Sequence, residues 1–444
     1  MSFTPGQLLR TLDRFEQDAQ TASRYVIALS GGLDSTVLAH ALSATREQHG
    51  KTLLAVHIDH QLQQGSIRFS EHCVDLAGSL DLDLDCIAVD VDLDAGLGPE
   101  AAARAARYAA LAERLDAGDW LLSAHHRDDQ AETLLLNLLR GSGPLGIAGI
   151  PALRRFAAGW LARPLLSVSR QALEDYAREQ GLSWIDDPSN DDASFDRNFL
   201  RGKILPELRA RWPDVTARLA KSAALARDAA GLLEGLADHD LEPLTDERGR
   251  VDVDGLLRLS RSRQSNALRR AARNAGLPAP GTVHVDGIID EVLGAREDAS
   301  PCVRWPGAEA RRFRGRLYLL QPLADLRVPE QPWHGEDALE LGTGLGRLRL
   351  ETGAGSGLDP ALLTAGLRVS MRRGGEEIRV ESQGPTKTVK NLLHERGVAP
   401  WLRKRLPLLW AGDRLVAVAD LFLAADACVD DGVAVVWEDT PLDR

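Results

Sequence analysis

Through the first half of the chain, short apolar runs alternate with segments of helical period. Tyr25–Leu29, Leu53–Ile58, Cys86–Val91 and Trp120–Ala124 read as strands, each an apolar run of strand length bounded by polar or turn-forming residues. Between them, Thr36–Ser43, Phe69–Ser79 and Glu100–Leu115 are amphipathic or alanine-rich. In the last of these, AAARAARYAALAERL, intrinsic helix propensity outweighs any other assignment. Strands separated by helices are how a parallel sheet with crossover helices looks in sequence. The expected fold class is therefore α/β, opening with a Rossmann-like parallel-sheet domain that runs to about Trp212.

Beyond Pro213 the pattern changes. ARLAKSAALARDAAGLLEGLADHD is rich in Ala, Leu and Arg at helical spacing, and Arg261–Asn274 and Val283–Gly294 continue it, which predicts a small, mainly helical domain. Arg311–Leu320 alternates toward strand, and Pro322–Pro332, with three prolines, marks a second boundary. From Leu339 to Arg444, short β-like runs such as Leu415–Ala419 and Val433–Trp437 surround one helix near Val389–Arg396, as in an α+β module. The expected domains are 1–215, 216–325 and 335–444, in line with the roughly 150 residues a domain usually takes.

Composition fits an ordinary globular protein, 44% hydrophobic and 27% charged. No stretch approaches 18 uninterrupted apolar residues, and no basic segment followed by an apolar run opens the chain, so a cytoplasmic location with no membrane partner is expected. Cys73, Cys86, Cys302 and Cys428 are scattered without a CxxC pair, which indicates neither a disulfide framework nor a Cys-rich zinc site. The formal net charge of −12 speaks against a nucleic-acid partner on average. Residues 366–414 break that average: eleven Lys/Arg face five Asp/Glu, a local balance of +6.

The chemistry begins where the strand YVIAL runs into Ser30-Gly31-Gly32-Leu33-Asp34-Ser35 and then into a helix. Paired glycines let the backbone approach an anion, the first helical N–H groups point at it, and Ser30 and Ser35 add hydroxyl donors. Asp34 is out of place beside a phosphate unless Mg²⁺ lies between them, so the loop looks built for Mg-pyrophosphate, with Asp34 as the metal ligand. The plainer alternative is a Gly-Gly turn carrying a helix cap. No Lys follows the glycines, and G-x-G-x-x-G is absent. Further on, Trp120–Ala124 places His125 and His126 at a strand's carboxyl end, where open α/β sheets bind ligands. Asp128, Asp129 and Glu132 follow in a first helical turn, placed either to hold Mg²⁺ or an amine or merely to complement the helix dipole. A transition-metal site using these histidines with His57 and His60 is disfavoured, because adjacent strand residues point to opposite faces and no thiolates accompany them.

SGGxDS resembles the PP-loop ATPases, which cleave ATP to AMP and pyrophosphate. AVHIDHQL (55–62), the ARAARY segment, AHHRDDQAETLLLNLLRGSG (124–143), RPLL (163–166), WIDDPSNDDASFDRNFLR (184–201), RRGGEE and GVAPWLRKRLPLLW (397–410) are similar to segments of the tRNA(Ile)-lysidine synthetases, over nearly the whole chain. The resemblance implies ligation of L-lysine to carbon 2 of the wobble cytidine in the CAU anticodon of an isoleucine tRNA, with ATP as activator and Mg²⁺ as cofactor. It further implies a PP-loop catalytic domain followed by two tRNA-recognition domains, with a homodimer left open. On this reading Ser30–Ser35 and His125 bind ATP, His125 through its phosphates or through the cytosine. Asp34, Asp128, Asp129 and Glu132 are the catalytic carboxylates. Arg104 and Arg107 are the cations for charge developing on the phosphates, unless they belong to a solvated helix face. Arg140, Arg197, Asn198 and Arg201 would contact substrate. Lys387, Lys390, Arg403, Lys404 and Arg405, beside Trp401, would grip the folded RNA, the bland alternative being a charged solvated surface.

Overall fold

The computed structural model describes residues 2–60, 66–91, 99–186, 192, 194–296, 299–323, 328–335, 338–342, 344–352 and 355–440. Two compact units make up the chain, Met1–Leu232 and Leu233–Arg444.

The first unit opens with α1 (Pro5–Asp18), started by Thr4, whose side chain accepts a hydrogen bond from the Gln7 N–H. There follow β1 (Arg24–Ala28), α2 (Leu33–Ser43), the short α3 (Arg46–His49), β2 (Thr52–Asp59), α4 (Ser66–Ser79), β3 (Asp83–Ala88), α5 (Pro99–Ala112), β4 (Trp120–Leu122) and α6 (Arg127–Leu139). A short α7 (Pro144–Ile147) leads to the hairpin β5 (Leu153–Phe156) and β6 (Gly159–Ala162). Then come α8 (Arg170–Glu179), α9 (Asp196–Phe199), a wide π turn at Leu200–Ile204 and α10 (Leu205–Arg211). The long α11 (Val215–Leu241) carries the chain into the second unit.

The sheet order is β3-β2-β1-β4-β6-β5, parallel except for the β5–β6 hairpin. Alternation along the strands divides two buried layers: Tyr25, Ile27, Leu53, Ala55, Trp120 and Leu122 face one, and Val26, Val56, Leu121 and Leu161 the other. Because β1 connects outward to β2 on one side and pairs with β4 on the other, the sheet reverses direction there. A crevice opens beyond the carboxyl ends of β1 and β4.

Four expected strands exist, but the third is displaced. It occupies Asp83–Ala88 rather than Cys86–Val91, because the DLDLD alternation that disguises it in sequence is that of an edge strand with one wet face. The β5–β6 hairpin was not anticipated. Gly159 marks it: a Cβ there would lie 2.1 Å from the Asp119 carbonyl oxygen, so only glycine lets the hairpin dock on β4.

In the second unit, β7 (Val251–Asp252), α12 (Val253–Arg258), α13 (Arg261–Asn274), α14 (Thr282–Gly287), β8 (Cys302–Trp305), β9 (Ala308–Phe313) and β10 (Arg316–Leu320) enclose a core that includes Leu256, Leu268, Ile288 and Leu317. The antiparallel sheet β7-β10-β9-β8 belongs to this region, of which the sequence pattern reveals only the alternation at Arg311–Leu320. A separate core around Leu367, Leu393, Leu408 and Val416 holds the remainder together. There the strands Gln331–Trp333, Leu367–Met371, Pro407–Ala411, Arg414–Val418 and Phe422–Leu423 form one antiparallel sheet, beside the helix Val389–Glu395. No described helix is long and apolar enough to cross a membrane.

Candidate active site

At the end of β1 the chain turns through Gly31, whose φ of +79° lies in the left-handed region open to glycine at no steric cost. Ser35 closes the loop from α2: its hydroxyl accepts from the Ser30 N–H at 3.2 Å, lies 3.0 Å from the Ser30 hydroxyl, and donates to the Gly32 carbonyl at 3.0 Å. Gly32 is the N-cap and offers no side-chain cap, so the first N–H groups of α2 are left for an anion. Leu33 anchors the helix start in the core. Asp34 is partly exposed, and its Oδ1 atom is buried with no hydrogen-bond partner among the described residues. Among those residues no group of three or more His, Cys, Asp or Glu is arranged to hold a metal ion. Mg²⁺ on a nucleotide needs only one or two protein carboxylates, however, and the orphaned oxygen of Asp34 fits that requirement.

At the end of β4, His126 caps α6. Its backbone N–H donates to Asp129 Oδ2 at 2.9 Å, while its Nδ1 faces the Asp129 N–H at 3.4 Å. Its Nε2 lies 3.5 Å from Asp34 Oδ2 and 3.5 Å from Asp129 Oδ2. His126 therefore bridges the loop of β1 to the acids of α6. Burial works against its charged form, yet the hydrogen bond to Asp34 and the carboxylates of Asp129 and Asp128 outweigh it and raise its pKa. His125 has the opposite character. Burial drives its pKa down, and the Arg163, Arg197 and Arg104 cations add to the effect, so it is a neutral imidazole next to the Ser123 hydroxyl. The sequence reading favoured His125 and assigned nothing to His126, whose part depends on contacts across two strand ends.

Asp128, Asp129 and Glu132 are all buried, and arginines from the α9–α10 segment neutralise them. Arg197 donates to Glu132 at 2.8 Å and to Asp129 at 3.0 Å; Arg201 donates to Glu132 at 2.7 Å and to Asp129 at 3.1 Å. Asp128 pairs with Arg209 and accepts from the Arg170 N–H at 2.9 Å. Burial alone would raise the pKa of Asp129, but His126 and Arg197 hold it below the usual carboxylate range. Arg209 and Arg170 carry no motif and were missed.

Elsewhere the placement is looser. Arg104 lies over the Tyr108 ring, 4.9 Å from its centroid, with Arg107 at 6.0 Å. Arg163, from RPLL, is buried and donates to the Pro151 carbonyl at 2.7 Å, and its charge reaches His125. Arg140 is exposed, 3.9 Å from Asp196, and Asn198 donates to the Asp192 carbonyl at 3.0 Å. In the second unit Lys390 and Lys404 are exposed, Lys387 pairs with Glu395 at 3.0 Å, and Arg403 donates to the Val398 carbonyl at 2.9 Å. Arg405, expected on the same surface, is only 8% exposed and sits inside the module. A 3₁₀ turn at Arg403–Arg405 directs it inward while Lys404 faces out.

An SGGLDS loop at the switch point of a parallel sheet, with a capped and charge-compensated helix facing it, defines a PP-loop ATP-binding protein, and the family model for the PP-loop domain matches residues 6–208. The TilS substrate binding domain matches residues 252–318 and the TilS substrate C-terminal domain residues 367–437. The chain is 41% identical over 412 residues to the tRNA(Ile)-lysidine synthase of Methylococcus capsulatus, covering 92% of this chain and 94% of that protein. It is 39% identical over 449 residues to that of Alkalilimnicola ehrlichii, 99% of each, and 38% identical over 417 residues to that of Coxiella burnetii, covering 94% and 92%. The chain belongs to the tRNA(Ile)-lysidine synthase family, ligases with a PP-loop ATP-binding domain.

Proposed function

We propose that this protein joins the ε-amine of L-lysine to carbon 2 of the wobble cytidine in the CAU anticodon of an isoleucine tRNA, forming lysidine. One ATP becomes AMP and pyrophosphate, decoding moves from AUG to AUA, and tRNA identity moves from methionine to isoleucine. The observation that carries the reading is the meeting of the Ser30–Ser35 loop with the His126–acid cluster at two adjacent strand ends.

In this reading ATP lies on the loop, its phosphates on the N–H groups of Gly32–Ser35 and the Ser30 hydroxyl. Asp34 would hold Mg²⁺, which neutralises charge on the pyrophosphate when bound. Oxygen 2 of the cytosine attacks the α-phosphorus and pyrophosphate leaves; the lysine amine then attacks carbon 2, and AMP departs with that oxygen. His125, neutral, can donate or accept a hydrogen bond at phosphate or base without adding charge. Arg104 and Arg107 supply fixed cations for the developing negative charge. Asp128 is the acid best placed to exchange its partner for the substrate amine and take its proton, because Arg209 is the most exposed of the paired arginines. Asp129 and Glu132 hold Arg197 and Arg201 at the site, beside Asn198 and Arg140 for contact with RNA. Lys387, Lys390, Arg403 and Lys404 meet phosphates farther along the tRNA, within a three-domain division at 1–215, 216–325 and 335–444. A cytoplasmic location completes the reading, with the homodimer left open.

The test is incubation with ATP, labelled lysine and a CAU-anticodon tRNA. AMP and lysine-labelled RNA should appear in equal amounts. AMP without label in the RNA, or label without ATP, overturns it.

A further inference from the structure

The AVHIDHQL motif has no part in the reaction described above, and neither does its buried histidine. His57 on β2 is 4% exposed, and its Nδ1 lies 2.9 Å from the Leu29 carbonyl oxygen, the last carbonyl before the Ser30–Ser35 loop. A carbonyl can only accept, so Nδ1 carries the proton and the tautomer is settled. The Cys73 thiol of α4 approaches the same oxygen at 3.9 Å and the His57 Nδ1 at 3.4 Å. It also forms the floor under the loop, since a Cβ on Gly31 would lie 3.2 Å from the Cys73 sulfur.

On the other side of that peptide, the Ser30 N–H donates to the Ser35 hydroxyl at 3.2 Å. The Leu29–Ser30 peptide plane is thus held at both edges, by His57 on its oxygen and by Ser35 on its nitrogen. That plane sets the direction in which the chain enters Gly31, and with it where the following N–H groups point. We propose that His57 is a positioning residue for the phosphate loop: its Nδ1–H fixes the Leu29 carbonyl and so preorganises the loop for the nucleotide's phosphates. This rests on the reading that the loop binds ATP.

The test measures binding of a non-hydrolysable ATP analogue by calorimetry, with KM for ATP, lysine and tRNA, in the full chain. In His57→Asn the amide Nδ2 falls near the place of Nδ1, so analogue affinity should stay within about threefold of wild type. In His57→Gln the amide reaches toward the Nε2 position, so affinity should fall at least tenfold, about 1.4 kcal/mol. His57→Leu should fall as far. KM for lysine and tRNA should move less than threefold in each. Equal affinities for Asn and Gln variants overturn the proposal, as does wild-type affinity in a folded His57→Leu; should the Leu variant not fold, the Asn–Gln pair decides. Wild-type protein that binds no analogue removes the ATP reading itself, an outcome distinct from either.

Discussion

Two adjacent strand ends build the site by opposite means. At the end of β1 the groups of the loop itself are local and neutral apart from Asp34: backbone N–H groups, two serine hydroxyls and a left-handed glycine, all within six residues. At the end of β4 the materials are full charges, three buried carboxylates met by arginines that lie 65 to 81 residues away in sequence. The first kind of site depends on backbone conformation and tolerates few side-chain changes. The second depends on charge balance, so removing one member leaves another stranded in a poorly hydrated place.

The largest effect should follow from unbalancing β4. Glu132→Gln leaves Arg197 and Arg201 sharing the Asp129 carboxylate, and should cost roughly 2 kcal/mol in denaturant unfolding, below the full buried-pair figure because that carboxylate remains and both guanidiniums keep some water. Adding Arg201→Gln to that variant should recover part of the loss; strict additivity would break the charge-balance account. Next comes Gly31→Ala, which forces a Cβ against Cys73 at positive φ. It should lower stability by about 1 kcal/mol or more, with loss of ATP binding far exceeding that cost.

A smaller effect is pH-linked. The raised pKa of His126 contributes stability that is complete below its unfolded value of about 6.5 and is lost as pH rises through the folded value. The depressed pKa of Asp129 contributes stability that is present above about pH 4 and is lost as pH falls further. His126→Asn keeps a competent N-cap but removes the charge, so its stability difference from wild type should shrink as pH rises above about 6.5; a constant difference would show the cap alone matters. Smallest of all, Lys390→Ala and Lys404→Ala should each weaken tRNA binding a few-fold and reduce the salt slope by about one, by filter binding across salt concentrations. Arg405→Met should instead lower unfolding stability, with little change in that slope.

This contrast also explains what was legible in the sequence. The Ser30–Ser35 loop, β1, β2, β4 and the helices between them follow from neighbours within a few residues, so spacing reveals them. Asp128, Asp129 and Glu132 were recognisable as a group, but Arg209 and Arg170 have no mark until the chain folds back on α6. His126 was hidden for the same reason, its bridge to Asp34 running between residues 92 positions apart. Conversely, the basic run 403–405 reads as one surface, whereas its 3₁₀ turn buries Arg405. The β5–β6 hairpin escaped notice because its strands are short, and Gly159, which permits it, looks like an ordinary turn residue.

The distance in sequence between the α6 acids and their arginines has a consequence for synthesis. A chain growing from its amino terminus can pair β1 with β2, β3 and β4 long before Arg197 to Arg209 are made. Until then Glu132 has no arginine and Asp129 has only His126 beside it, and that part of the fold must stay hydrated. That face of the sheet is therefore late to dry, closing as the α9–α10 segment arrives.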